Sequence, residues 1–276
     1  MLRTRVISVA ILLPLVLLFA YLGGIPWLVA ILIGGIIAWL ELARLLGRDT
    51  FAVYRWLGLL FIPLFIAAAY VRATELLPLS NSGASGEDLL LLLIVALIIA
   101  SLTQALFDRA EHPTTNWSMT VAGVVYLGVL LSTFVTLRER PDGFWWALLA
   151  FSLTWIIDAT AFFIGRAFGR HKWWPRLSPK KTWEGLIGGS VAGIIAAPLL
   201  GMWWLHLSPW WGLLLGLLAV VAAPLGDLSV SLFKRMAQAK DSGNLIPGHG
   251  GLLDRLDSLL FIFPVVTYFA LFVAGP

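Results

Sequence analysis

The segment 227–258, DLSVSLFKRMAQAKDSGNLIPGHGGLLDRLDS, sets carboxylates, hydroxyls and cations between two apolar runs. If helix continues to Lys240, Asp227, Ser231, Lys234 and Arg235 fall at i, i+4, i+7 and i+8 and share one face. The stretch SGNLIPGHGG cannot remain helical, and its second half, with Gly250 and Gly251, can turn backbone N–H groups toward an anion. A helix restarting near Leu252 would put Asp254, Asp257 and Ser258 on one face. Carboxylates on two helices across a glycine-rich turn suit a hard cation such as Mg²⁺, which bridges carboxylates to phosphates. Lys234, Arg235, Lys240 and Arg255 beside them suit phosphate oxygens. Alternating carboxylates and cations is what phosphoryl or nucleotidyl transfer requires, because its catalysis is mostly positioning and charge neutralisation. A solvated loop with ordinary positive-inside charge is the plainer reading of the same spacing. His249 by itself reads as a turn or hydrogen-bonding residue rather than a metal ligand.

A second constellation is 158–185, DATAFFIGRAFGRHKWWPRLSPKKTWEG. Asp158 interrupts an apolar helix, and intramembrane carboxylates are costly enough to imply a role, although Arg166 two turns on could simply neutralise it. Gly165 and Gly169 form a GxxxG pair suited to close helix packing. Ser178 and Thr182 can cap, Lys180 and Lys181 are adjacent cations, and a helix beginning at Trp183 would leave its first N–H groups free for phosphate. Positive-inside charge accounts equally well for Arg170, Lys172 and Arg176.

The elements that must position these residues are membrane helices. Of 276 residues 60% are hydrophobic and 12% charged, against about 45–50% and about 25% in soluble domains. Apolar runs at 6–22, 26–46, 56–71, 88–107, 119–137, 144–165, 185–206, 209–226 and 253–274 predict an all-α polytopic integral membrane protein of about nine transmembrane helices. The first run follows Arg3 and Arg5 like a signal peptide, but it lacks a convincing cleavage site and reads as a retained helix. With the N-terminus in the cytoplasm and the C-terminus outside, only Arg72, Arg138 and Arg140 of the 19 Lys and Arg lie outside, leaving 16 inside. That count places 166–184 and 227–257 on the cytoplasmic side and the polar site at the cytoplasmic membrane interface. The chain divides into N-terminal helices, 1–143, and a C-terminal catalytic region, 144–276. The absence of cysteine excludes disulfides, thiolate metal sites and cysteine nucleophiles. The net charge of +4 reads as membrane orientation, with no nucleic-acid partner. The tryptophan pairs 145–146, 173–174, 203–204 and 210–211 read as interfacial anchors.

Residues Ser231 to Asp257, SLFKRMAQAKDSGNLIPGHGGLLDRLD, resemble the signature of CDP-diacylglycerol synthases, also called phosphatidate cytidylyltransferases, with no departure in these 27 positions. GDLSVS, the stretch from Asp158 through FFIGRAFGRH, and SPKKTWEG are also similar to that family, so the resemblance is strong over roughly 150–260. The N-terminal half matches mainly in hydropathy and size, and Glu41 in the second run reads equally as interfacial or catalytic. The resemblance implies a transferase that converts CTP and phosphatidic acid to CDP-diacylglycerol and pyrophosphate at a bacterial inner membrane, as a homodimer. On it, Asp227 and Asp254 hold Mg²⁺ with Asp257 as ligand or neighbour, and Lys234, Arg235, Lys240 and Arg255 hold phosphates. Lys180 and Lys181 serve either substrate, and Asp158, Ser178, Thr182, Ser231, His249, Gly250, Gly251 and Ser258 complete the substrate pocket. Whether a monovalent cation joins Mg²⁺ is left open by the sequence. Two alternatives are a CTP-dependent transferase or kinase acting on a prenyl lipid, and an ion-coupled transporter using Asp158.

Overall fold

The computed structural model describes residues 2–47, 52–75, 86–246, 248 and 250–274; His249 lies outside them. The helices are α1 (Leu2–Leu22), α2 (Gly24–Leu46), α3 (Arg55–Ala73), α4 (Gly86–Phe107), α5 (Pro113–Arg138) and α6 (Gly143–Phe168). A hairpin of β1 (Lys172–Trp174) and β2 (Ser178–Thr182) follows, then α7 (Trp183–Leu205), α8 (Pro209–Met236), the single turn α9 (Leu253–Leu256) and α10 (Leu259–Ala274). Among the described residues seven helices are long and apolar enough to cross a membrane, and Ala10–Leu22 and Leu259–Val273 are shorter apolar helices. Eight of the nine apolar runs lie each in one helix to within a residue, whereas 253–274 is divided between α9 and α10. Two compact units result, Met1–Arg140 with Met236–Asp254 and Pro141–Arg235 with Arg255–Pro276. Residues 236–254 thus group with the N-terminal helices.

In the first unit, α2, α3 and α5 pack around Trp39, which has no exposed surface and donates its indole N–H to the Arg55 carbonyl at 2.8 Å. Trp27 likewise donates to the Phe134 carbonyl at 3.0 Å. The turn between α1 and α2 is clamped from the end of α5. Arg138 donates to the Ala20 and Tyr21 carbonyls at the end of α1, while Glu139 accepts the Gly24 N–H at the start of α2, 2.8 Å away. A cation thus meets a helix C-terminus and a carboxylate a helix N-terminus. A further polar knot joins the approach to α3 with the α4–α5 connection: Tyr54 O–H and Asn116 Nδ2 donate to Asp108 Oδ2 at 2.9 and 3.0 Å. Burial first, and then the Asp108 carboxylate, push the Tyr54 phenol up to about 12. Asp108 is held below its usual range by the Asn116 amide, the Ala110 N–H and the Tyr54 hydroxyl.

In the second unit, α6 and α7 touch backbone to backbone. A Cβ on Gly185 would stand 2.6 Å from the Ala161 carbonyl, and one on Gly189 2.8 Å from that of Ile157. Between lipid-facing helices burial adds little drive, so this close van der Waals approach is what holds the pair. Gly165 joins the same contact, as its GxxxG spacing predicts. Trp146 is a correction to the interfacial reading of the tryptophan pairs: it is buried and packs edge-on against Phe269 of α10. Trp203 and Trp210 are exposed, as anchors should be.

Candidate active site

The second unit gathers most of the expected polar residues. Asp227 lies on α8, and Ser231 one turn on donates to its Oδ1 at 3.3 Å, as the helical spacing predicts. Lys181 Nζ lies 2.7 Å from Asp227 Oδ2. The hairpin delivers that lysine. Its strands pair Lys172 with Thr182 and Trp174 with Ser178, and Lys181 stands over the Trp173 ring at 5.8 Å. Thr182 ends the hairpin and caps α7, accepting the Gly185 N–H at 3.2 Å. Two ties hold the hairpin at its edges: Arg235 Nε donates to the Leu177 carbonyl at 3.0 Å, and His171 Nδ1 lies 2.6 Å from Glu184 Oε1. Arg235 thus has a positioning contact besides its charge. Lys180 is exposed and Lys234 half-buried.

Asp158, on α6, lies in the electrostatic field of Asp227, Lys181 and Arg255 and faces Ser258. Its neutralising cations are therefore Lys181 and Arg255, whereas Arg166 is exposed. Asp257 shares this field, with Asp227 and Asp158 as its carboxylate neighbours and Arg255 as its cation. Gly226 lets α8 approach here, since a Cβ on it would lie 2.4 Å from the Asp257 carbonyl oxygen. Ser258 Oγ is buried and is turned toward Asp158. Asp158, Asp227 and Asp257 thus gather beside Lys181, Arg255 and the Ser258 hydroxyl. Among the described residues no three His, Asp or Glu side chains converge to cage a metal alone. Asp227 and Asp257 are neighbouring carboxylates, and Mg²⁺ commonly takes one or two carboxylates together with water and substrate phosphate.

Two helix expectations need correction. Helix α8 ends at Met236 rather than Lys240, where Gln238 takes a left-handed φ of 50°. Asp254, Asp257 and Ser258 do not share one helix face, because α9 ends at Leu256 and α10 begins at Leu259. At the break Asp257 Oδ1 accepts the Ser258 N–H at 2.7 Å, a local bond that competes with helix continuation.

Asp254, Lys240, Gly250 and Gly251 belong to the first unit. There Asp254 Oδ2 accepts the Ser242 and Gly251 N–H groups at 2.8 and 3.1 Å and lies 3.0 Å from Ser242 Oγ. The Gly251 amide is thus already committed to a protein carboxylate. The turn closes through the Ile246 N–H on the Gly250 carbonyl at 2.9 Å, with Gly248 and Gly250 at φ of 80° and 83°. Lys240 is exposed.

A family model for the cytidylyltransferase family matches residues 3–273. The chain belongs to that family. Among its relatives, the Staphylococcus saprophyticus protein named phosphatidate cytidylyltransferase is 32% identical over 96% of this chain and 95% of its own length. Proteins of the same name from Brucella abortus and Bacillus subtilis are 31% and 30% identical, covering 100% and 96% of this chain and 95% and 96% of their own.

In this cytidylyltransferase the residue that sequence reasoning undervalued is Glu41. It lies on α2, is 4% exposed, and accepts the Leu252 N–H on Oε1 at 3.0 Å and the Leu253 N–H on Oε2 at 2.9 Å. Ser242 Oγ donates to the same Oε2 at 2.8 Å. A carboxylate inside an apolar run was the signal available, because such a group is retained only where partners meet it.

Proposed function

We propose that the chain is a phosphatidate cytidylyltransferase of a bacterial inner membrane, converting CTP and phosphatidic acid to CDP-diacylglycerol and pyrophosphate. The observation that carries this reading is the Lys181–Asp227 pair at 2.7 Å, set among Asp158, Asp257 and the buried Ser258 hydroxyl, in a chain whose relatives of that name align over nearly their whole length. Asp227 and Asp257 would hold Mg²⁺, which when bound neutralises charge on the triphosphate. Asp254, whose Oδ2 already accepts two backbone N–H groups, serves the loop instead.

The lipid phosphate is already an anionic nucleophile, so no strong general base is required. Its oxygen forms a bond to the α-phosphorus of CTP while the bond from that phosphorus to the pyrophosphate oxygen breaks, with the electron pair leaving on pyrophosphate. Lys181 balances charge beside Asp227 and turns its ammonium toward phosphate oxygens. Lys180, Lys234, Arg235 and Arg255 draw both polyanions to the site. Ser231 and Ser258 orient ligands, since direct attack needs no covalent enzyme intermediate. The site faces the cytoplasm, where CTP is found, a placement supported by the 16 of 19 Lys and Arg on that side of the map. A homodimer rests on the family resemblance alone.

The test is purified protein in mixed micelles with α-labelled CTP and either phosphatidate or a polyprenyl phosphate. The expected result is labelled CDP-diacylglycerol with equimolar pyrophosphate from phosphatidate only. Transfer to the polyprenyl substrate alone would contradict the reading. CTP carrying a chiral sulfur at the α-phosphorus should give inversion, and retention would contradict direct attack.

A further inference from the structure

The carboxylate of Glu41 does something that the reaction chemistry does not itself require. Its two oxygens take up the Leu252 and Leu253 N–H groups, at 3.0 and 2.9 Å, where the single turn α9 begins. Helix starts are normally capped by a local Ser, Thr, Asp or Asn. Here the residues before Leu253 are Gly251 and Leu252, which offer no side-chain acceptor. The acceptor comes from a membrane helix 212 positions away in sequence, counted from Leu253. Ser242, 2% exposed, ties the other arm of the turn to the same Oε2 at 2.8 Å.

Glycines in the turn are shaped to this carboxylate. A Cβ on Gly251 would lie 2.3 Å from Glu41 Oε2, and one on Gly243 2.6 Å from Oε1. Any side chain at either position would displace the carboxylate or the backbone around it. These glycines therefore admit an anion, and that anion is part of the protein. Without it, a turn rich in glycine with two left-handed residues has little to select one backbone arrangement.

We propose that Glu41 is a positioning residue for cytidylyl transfer: it fixes the 242–253 turn, and through it the chain that leads from Lys240 into Asp254, Arg255 and Asp257. The proposal rests on the functional reading above, because it is the residues flanking this turn that the reaction uses. Both Glu41 oxygens are taken by donors of the protein itself, so its effect is on the alignment of other groups. Misplacing reacting groups by about 1 Å costs roughly 100-fold in rate.

The experiment compares wild type, Glu41→Gln, Ser242→Ala and the double variant, each purified in the same micelles. It measures kcat and KM for CTP per folded molecule, together with amide exchange over 250–256. In Glu41→Gln the amide NH₂ must face one of the N–H or O–H donors that the carboxylate accepted. The expected result is kcat lowered about 100-fold with a smaller change in KM, faster exchange over 250–256, and a melting temperature close to wild type. Ser242→Ala should lower kcat by about tenfold, a loss of one hydrogen bond to a charged group, and should add little in the double variant. If Glu41→Gln does not fold, Ser242→Ala with its KM and exchange readouts carries the test. Wild-type kcat in Glu41→Gln, or in Ser242→Ala if it alone folds, would overturn the proposal. So would a full additional loss in the double variant. Inactive wild type with slow exchange that quickens in Glu41→Gln would instead locate the failure in the functional reading.

Discussion

In the first unit Glu41 and Asp254 are surrounded by donors, whereas in the second Asp158, Asp227 and Asp257 have one another as neighbours, with Lys181 and Arg255 as the offsetting cations. Both groups are carboxylates in or beside apolar helices, and residue type alone does not separate them. Their partners do. A carboxylate that accepts two or three hydrogen bonds from backbone and serine is satisfied and serves architecture, because an unmet buried charge is prohibitively costly. Carboxylates set near one another, beside Lys181 and Arg255, are the ones proposed to take a cation and phosphate.

The largest break in that contrast is expected from Asp227→Asn, which should reduce turnover about 1,000-fold with the protein still folded. Near-normal kcat at saturating Mg²⁺ would remove Asp227 from the chemistry. Ser258→Ala sharpens the comparison differently. Its hydroxyl is buried beside Asp158, so removing it should cost roughly tenfold in kcat/KM through a lost ligand contact, with a smaller effect on thermal stability. A stability loss without a rate effect would assign Ser258 to structure.

Thr182→Ala should do the reverse, lowering stability by about 1 kcal/mol through loss of the α7 cap and leaving kcat of the folded protein little changed. The smallest effect expected is in the Tyr54–Asp108 knot. The Tyr54 phenol is raised from 10.0 to about 12, so its contribution to stability is full below pH 10 and is lost as pH rises through 12. Melting curves across that window should fall for wild type and stay flatter for Tyr54→Phe; equal slopes would show that the knot contributes nothing.

What the sequence made legible were features set by local periodicity. Apolar runs located the helices, the spacing of Asp227 and Ser231 predicted their contact, and Thr182 before Trp183 predicted a cap. Features set by distant partners were hidden. Ser242 meets Glu41 across 201 positions, and no local pattern marks that pairing. The hairpin escaped because a three-residue strand is too short to show alternation. The break at Asp257 and Ser258 escaped for a related reason: helical spacing from Asp254 predicts a shared face, and only the Asp257–Ser258 backbone bond and the close approach at Gly226 interrupt it. Trp146 shows the same limit, since indole chemistry suits an interface and a core equally until a partner such as Phe269 is known.

The most direct test of the contrast between the two sets of carboxylates is Mn²⁺ binding followed by electron paramagnetic resonance, in the presence of CTP, for Asp227→Asn, Asp257→Asn, Asp254→Asn and Glu41→Gln. The account predicts that Asp227→Asn and Asp257→Asn weaken protein-dependent Mn²⁺ binding by tenfold or more, on the order expected for loss of a charged ligand. Asp254→Asn should leave it near wild type even where it slows turnover, and Glu41→Gln, which disturbs the chain leading to Asp257, should weaken it less than Asp257→Asn does. Loss of Mn²⁺ binding in Asp254→Asn as large as in Asp227→Asn would contradict it.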